Sequence, residues 1–264
     1  MSRNSRSQVL MVQAQLSWKD PAANRSHLSE LVAKAAEAGA FDLAIFPETF
    51  TTGFLGDSDL PAENMSGPTV QWMHSMAQEY SASMAGSAVI VEQGSRFNRF
   101  ILVTPEGTVH HYDKRHLFAF GGENKRYSAG KQRLVWNWRQ WRINPQICYD
   151  LRFPAWCRNR NDYDLQIFVA NWPEKRVAHW MALLRARAIE NQAYVIGINR
   201  VGEDGNGLKY PGRSQAFDPL GNELADLQGI EQSQRICIDL QQVDDIRRQF
   251  PFQDDADHFT LSQG

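Results

Sequence analysis

The chain has 264 residues, of which 42% are hydrophobic and 22% charged, with a formal charge of −2. Such a length suits one α/β domain spanning 1–264, and such a composition excludes a disordered chain. The near-neutral charge lacks the basic footprint of a nucleic-acid binder, and no run of about 18 apolar residues is present to span a membrane.

The opening Met1-Ser2-Arg3-Asn4-Ser5-Arg6-Ser7 is basic but has no apolar core of a signal peptide, so the cytoplasm is the expected compartment. Val9–Gln15 reads as a short buried strand. Leu28, Leu31, Val32, Ala35 and Ala36 then share one helical face, which Gly39 terminates. Asp42–Phe46 is a second strand, and Glu48 projects just beyond its end. Pro68 begins a helix with Met73, Met76, Ala77 and Tyr80 on one face. Ser87–Val91 and Arg99–Thr104 are strands, the second turning through Pro105-Glu106-Gly107 into Val109–Tyr112. Lys114 follows at another strand end. A long loop to Gly130 holds His116, Phe118, Phe120, Gly121-Gly122 and Glu123, and loops of that length in compact domains usually carry function.

Leu134–Trp138 and Trp141–Cys148 read as a hairpin whose second strand runs into Cys148-Tyr149-Asp150-Leu151-Arg152-Phe153-Pro154. Pro154 opens a helix reaching Arg160. Leu165–Ala170 is a strand, and Asn171-Trp172-Pro173 opens what reads as the longest helix, with Val177, Trp180, Met181, Leu184 and Ala188 inward. Tyr194–Asn199, Ser214–Phe217 and Arg235–Leu240 are further strands, with a Pro219-Leu220-Gly221-Asn222 turn between the last two. Gln241–Phe250 is a short charged helix, and 251–264 is a C-terminal tail. Hairpins mixed with β-α-β units argue against one doubly wound parallel sheet. They fit an α/β fold of two mixed sheets packed face to face, with helices outside.

Three cysteines, Cys148, Cys157 and Cys237, are too few and too widely spaced for a disulfide framework or a paired zinc site. Cys148 sits at the carboxyl end of a strand, where open α/β sheets place ligands, yet a free cysteine is also commonly a buried packing residue. Glu48, Lys114 and Cys148 all follow strands, and such ends can converge. A carboxylate beside a thiol can take its proton, and an ammonium can favour the thiolate and hold a tetrahedral oxyanion. The backbone N–H of Tyr149 is a natural second oxyanion donor. Taken singly, Glu48 and Lys114 also read as surface charges. Cys237, in an alternating strand, reads as packed and inert, and Cys157 as a helix-packing residue. Gly202, Gly205 and Gly207 match no phosphate-binding glycine pattern.

Phe46-Pro47-Glu48, Asp113-Lys114-Arg115-His116-Leu117-Phe118 and Ile147–Pro154 resemble the three signature blocks of the nitrilase, or carbon–nitrogen hydrolase, superfamily. Arg185–Gln192 resembles that family's helix ending, and the similarity runs in order through nearly the whole chain. The resemblance implies a four-layer αββα sandwich and a Glu48–Lys114–Cys148 triad, with Glu123 as a supporting glutamate. It implies no metal and no organic cofactor, and it suggests a homodimer or higher homo-oligomer. Glu48–Phe54, Asn171-Trp172-Pro173-Glu174 and the Phe250-Pro251-Phe252 tail resemble the omega-amidase branch.

That branch implies a small-molecule amide substrate: a short dicarboxylic monoamide such as 2-oxoglutaramate, cleaved to acid and ammonia through a cysteine thioester. Its far carboxylate needs a cation, and Arg115, Arg152, Lys175 and Arg176 are the candidates, Arg176 foremost. Arg152 is alternatively expected to pair with Asp150. Phe54, Phe118, Tyr149 and Trp172 read either as walls of the pocket or as ordinary core packing. Other readings are an N-carbamoyl or aliphatic amidase, a papain-like Cys–His hydrolase, or a non-catalytic interaction protein on the same fold.

Overall fold

A computed structural model describes residues 5–56 and 62–261. Met1–Asn4 of the expected leaderless start and 262–264 of the expected tail lie outside the described residues. One six-stranded sheet holds β1 (Arg6–Gln13), β2 (Leu43–Ile45), β3 (Ser83–Glu92), β4 (Ser95–Val103), β5 (Val109–Asp113) and β14 (Gln232–Asp239), in the order β14-β1-β2-β3-β4-β5. The other holds β6 (Trp136–Trp138), β7 (Trp141–Ile147), β8 (Leu165–Ala170), β9 (Tyr194–Asn199), β12 (Gln215–Phe217) and β13 (Glu223–Asp226), in the order β13-β12-β9-β8-β7-β6. A two-stranded ribbon, β10 (Val201–Glu203) with β11 (Lys209–Pro211), stands apart from both. Each sheet is mixed: β1–β2–β3 and β7–β8–β9 pair in parallel, and the flanking pairs are antiparallel.

The helices are α1 (Pro21–Glu37), α2 (Pro68–Tyr80), α3 (Pro154–Cys157), α4 (Val177–Asn191) and α5 (Leu240–Gln249). In β1, Val9 and Met11 join the core between the two sheets, together with Leu43, Phe100, Ile143, Ile167 and Ile196. The alternate residues Leu10 and Val12 pack outward with Leu28, Val32, Met73 and Met76 of α1 and α2. Strands buried on both faces read as continuous apolar runs, which explains why Val9–Val12 shows no alternation. On the far side, Phe168, Val195 and Phe217 pack beneath Trp180, Leu184 and Ala188 of α4. The layers therefore run helix, sheet, sheet, helix, as the sequence predicts.

Some elements differ from expectation. The helix expected from Phe153 to Arg160 is only the single turn α3. At its end, the Arg133 guanidinium donates to the carbonyls of Trp156 and Arg158, at 3.2 and 2.9 Å, which a longer helix would need for itself. The longest helix is α1, of 17 residues against 15 for α4. Pro21 and the Asp20 side chain, which accepts from Ala23 N at 3.0 Å, start α1. The β3–β4 hairpin is longer than expected, because polar Ser95 and Arg96 still pair along the edge of the ladder. The ribbon and β13 were not anticipated. The 251–264 tail contains a 3-10 turn at Phe252–Asp255. Among the described residues, no helix is long and apolar enough to cross a membrane.

Candidate active site

The two parallel triplets place their carboxyl ends on one side of the sandwich. Glu48 lies just past β2, Cys148 directly follows β7, and Asn171 directly follows β8. Lys114 follows β5, where its N–H donates to Asn98 O of β4 at 2.9 Å. Gly130 returns the long loop to this point, donating to Lys114 O at 2.9 Å. A side chain there would not fit, since a Cβ would sit 2.0 Å from Asp113 O.

Glu48, Lys114 and Glu123 are fully buried. The Lys114 ammonium lies 2.8 Å from Glu48 Oε1 and 3.0 Å from Glu123 Oε2. Asn98 Nδ2 donates to Glu48 Oε1 at 2.8 Å and to Glu123 Oε1 at 3.0 Å. Asn171 donates its backbone N–H to Glu48 Oε2 at 2.8 Å, and Phe118 N–H donates to Glu123 Oε2 at 2.6 Å. Burial pushes the Glu48 carboxyl up, but the ammonium and these donors outweigh it and leave Glu48 below the ordinary glutamate range. Glu123 is held above that range, by burial first and by the neighbouring Glu48 charge against Lys114. Lys114 is desolvated, yet two carboxylates raise it well above an ordinary lysine.

Cys148 opens a 3-10 turn, Cys148–Arg152, with a left-handed φ of +45°. That conformation is costly for a side chain with a Cβ and clusters at functional sites. Buried Asp150 maintains it, accepting from Ile147 N at 3.0 Å and Tyr112 OH at 2.9 Å through Oδ2. Its Oδ1 accepts from His116 N at 3.0 Å and faces His116 Nδ1 at 2.8 Å. Arg187 anchors the next residue, donating to Leu151 O at 2.7 Å. Burial and the Glu48 charge push the Cys148 thiol well above its ordinary pKa, and Lys114 opposes them without prevailing. The direction favours the thiol at this half-buried position, against the expectation of a raised thiolate fraction, because carboxylates flank the same ammonium.

A cleft of about 490 Å³ gathers Glu48, Lys114, Cys148 and Tyr149 with Phe54, Phe118, Trp172 and Arg176. Glu123 stands behind Lys114. Arg152 and Lys175 also line the cleft. A slightly larger groove, about 570 Å³, lies beside Arg142 and Arg247, but both guanidiniums are committed to Asp164 and it holds no thiol.

Residues 8–248 match the carbon-nitrogen hydrolase family model. The chain belongs to the carbon–nitrogen hydrolase family. It is 45% identical to omega-amidase YafV of Escherichia coli K12 over 255 residues, covering 96% of this chain and 98% of that protein. It is 30% identical to 2-oxoglutaramate amidase of Bacillus subtilis, covering 94% and 96%. Its fold superposes on XC1258 of Xanthomonas campestris, a CN-hydrolase superfamily protein with an arsenic adduct in the active site, with a TM-score of 0.94, 45% identity, and 97% and 99% of the two chains covered. This carbon–nitrogen hydrolase is an omega-amidase-like enzyme.

Two of the sequence-based assignments in this carbon–nitrogen hydrolase are corrected. Arg152 does not pair with Asp150, whose oxygens Tyr112, His116 and Ile147 already occupy. Its guanidinium lies 4.7 Å over the Trp172 ring and 3.2 Å from His179 Nδ1. Arg115 does not reach the cleft; it donates to Gly130 O at 3.3 Å and lines a separate groove with Trp156. Sequence reasoning also missed Asn98, and it read Asn171 as part of a helix start and of an omega-amidase-like block, without a role toward Glu48. Asp204, Asn206 and Tyr210 complete one wall from the ribbon. Its glycines match no local motif, and nothing in the local sequence indicates where the ribbon folds.

Cys237 is exposed, contrary to expectation: Ile236 and Ile238 face inward and leave it outward on an edge strand. Cys157 is buried and pushed up to about 12 by burial. Limited iodoacetamide treatment of the folded enzyme is thus expected to label Cys237 without loss of activity, Cys148 with loss, and Cys157 last. Peptide mass mapping beside an ammonia-release assay checks this order. Inactivation that tracks Cys237 rather than Cys148 would refute it.

Proposed function

We propose that the enzyme hydrolyses the terminal amide of a short dicarboxylic monoamide, of 2-oxoglutaramate type, through a thioester on Cys148. The observation carrying this reading is the buried Glu48–Lys114 pair, 2.8 Å apart, in the same cleft as the Cys148 thiol. In the proposed cycle, the sulfur attacks the amide carbon as its proton passes to Glu48. The carbonyl oxygen becomes an oxyanion held by Lys114 and the Tyr149 N–H, which lies in the first turn of its helix and has no intrahelical partner. Glu48 then protonates the departing nitrogen, and ammonia leaves a thioester. Water attacks that thioester as Glu48 takes its proton, the acid product departs, and Glu48 returns the proton to sulfur. Because the surroundings of Cys148 favour the thiol, Glu48 takes its proton in concert with attack, which suits a carboxylate that burial alone would not leave ionised.

The far carboxylate of such a substrate finds Arg152, Lys175 and Arg176 on the cleft wall. Arg176 lies 5.3 Å over Phe118, which orients it along the aromatic wall. Turnover of 2-oxoglutaramate, neutral aliphatic amides, N-carbamoyl compounds and nitriles tests the reading. Equal rates on the first two would remove the carboxylate preference, and ammonia release only from N-carbamoyl compounds or nitriles would replace the substrate class. Arg176→Ala and Arg152→Ala are expected to raise KM for the carboxylate-bearing amide by about 10- to 100-fold, the scale of one charge-assisted hydrogen bond. KM for a neutral amide should stay unchanged. A uniform change across both substrates would mean that these guanidiniums do not read the carboxylate.

A further inference from the structure

We propose that Asn98 is a positioning residue for the proton transfer: its side-chain amide locks Glu48 and Glu123 around Lys114 and leaves Oε2 as the more weakly held edge of Glu48, the one that receives the thiol proton. This rests on the reading of Glu48 as the base. Asn98 is 1% exposed and does not line the cleft. Its one amide nitrogen has two protons, and they are divided between Glu48 Oε1 at 2.8 Å and Glu123 Oε1 at 3.0 Å. The same residue's backbone oxygen accepts from Lys114 N at 2.9 Å, so Asn98 touches every charged member of the cluster behind the thiol.

Asn98 Oδ1 is buried without a hydrogen-bond partner. A desolvated, unpaired acceptor is unfavourable, and an apolar side chain of similar size would avoid it. The amide stays in this orientation because the two carboxylates claim its N–H groups.

Lone-pair counting then assigns the edges of Glu48. A carboxylate oxygen offers two acceptor sites. Oε1 gives one to Lys114 at 2.8 Å and the other to Asn98. Oε2 holds Asn171 N at 2.8 Å, while its second donor, Asn171 Nδ2, is stretched to 3.3 Å. An arriving proton therefore displaces the least on Oε2. Lys114 in turn donates to Glu48 Oε1 at 2.8 Å and faces both oxygens of Glu123, at 3.0 and 3.2 Å. The charged and titratable groups around Asn98 are Glu48, Glu123 and Lys114, with Cys148, Tyr127 and Tyr210 beyond them.

Asn98→Asp keeps the shape, removes both donations and adds a third carboxylate. Each change favours protonated Glu48, so the fraction of ionised base at a given pH falls. The acid limb of kcat/KM is expected to move up by about one pH unit or more. At neutral pH kcat should fall by about tenfold or more, part of what a positioned base contributes. KM should be nearly unchanged. Asn98→Leu should lower kcat with a smaller shift of the limb. If these variants do not fold, Asn98→Ser, which retains one donor, should show an intermediate shift. Folded variants with the wild-type acid limb would overturn the proposal, even where activity falls in step with melting temperature, since that is the mark of a structural role alone. Cys148→Ala is the control: turnover surviving there would sink the underlying mechanism, whereas its loss beside an unmoved acid limb in Asn98→Asp sinks only the role of Asn98.

Discussion

Replacing Cys148 with alanine is expected to cut turnover by about 10⁴-fold or more while leaving the fold intact. On the proposed mechanism both half-reactions pass through a carbon–sulfur bond, and no neighbouring side chain can form it instead. Glu48 is enclosed by Lys114, Asn98 and Asn171, which hold it as a base rather than an attacking group. The structural cost should be small. Cys148 sits at the margin of two apolar clusters, alanine retains the Cβ, and Asp150 fixes the turn through Ile147, Tyr112 and His116 without using the sulfur. Ammonia release and a thermal melt, measured on the same preparation, check both halves. Retained turnover would overturn the assignment, and a collapsed melt would make any loss of activity uninformative. In that event Cys148→Ser, which preserves size and polarity, is the deciding variant.

Lys114→Ala is the second large effect, and it should act on activity and stability together. Loss of an oxyanion donor costs about 10²–10³-fold in kcat. Removal of one partner from a buried ion cluster costs about 3–5 kcal/mol, because the charges left behind have no water to replace it. Here Glu48 and Glu123 would both be left in that position, at 0% exposure. The effect depends on pH with a definite sign. In the wild type Glu48 is depressed, so its contribution is present above the unfolded glutamate pKa and lost as pH falls through the folded value. Without the ammonium, burial raises Glu48 instead, and the variant loses stability as pH rises. The stability gap between the two proteins should therefore be widest near neutrality and narrow in acid. Adding Glu123→Gln removes one orphaned carboxylate, and should recover part of the stability and none of the turnover. Denaturant midpoints at several pH values test this. A gap that stays constant with pH would show that the carboxylates do not respond to the lost ammonium.

The residue types of the candidate triad and their places at strand ends were legible from local sequence. Glu48, Lys114 and Cys148 each follow a short β-prone stretch, and both chain direction and residue type are local properties. The layered architecture was legible for a related reason. Val9–Val12 is apolar throughout and Leu165–Ala170 is apolar but for Gln166, because both faces of those strands are covered, and the spacing of Trp180, Leu184 and Ala188 marks the face of α4 that covers one of them.

Tertiary structure decided how those groups are paired and how far each is withdrawn from water. Asp150 lies two residues from Arg152, yet its partners are Tyr112 and His116, because the turn at Cys148 carries the carboxylate inward and the guanidinium out over Trp172. Asn98 and Asn171 are ordinary polar residues until the fold brings them to Glu48, 50 and 123 positions away. Cys237 alternates with inward-facing isoleucines, but its exposure depends on whether another layer covers the outer face of an edge strand. The protonation of Cys148 follows the same rule: a lysine nearby suggests a thiolate, whereas burial and two carboxylates around that lysine reverse the balance. Hydrogen-bond partners, burial and pKa are set by neighbours in space, and the fold gathers those neighbours from distant strands and loops of both sheets.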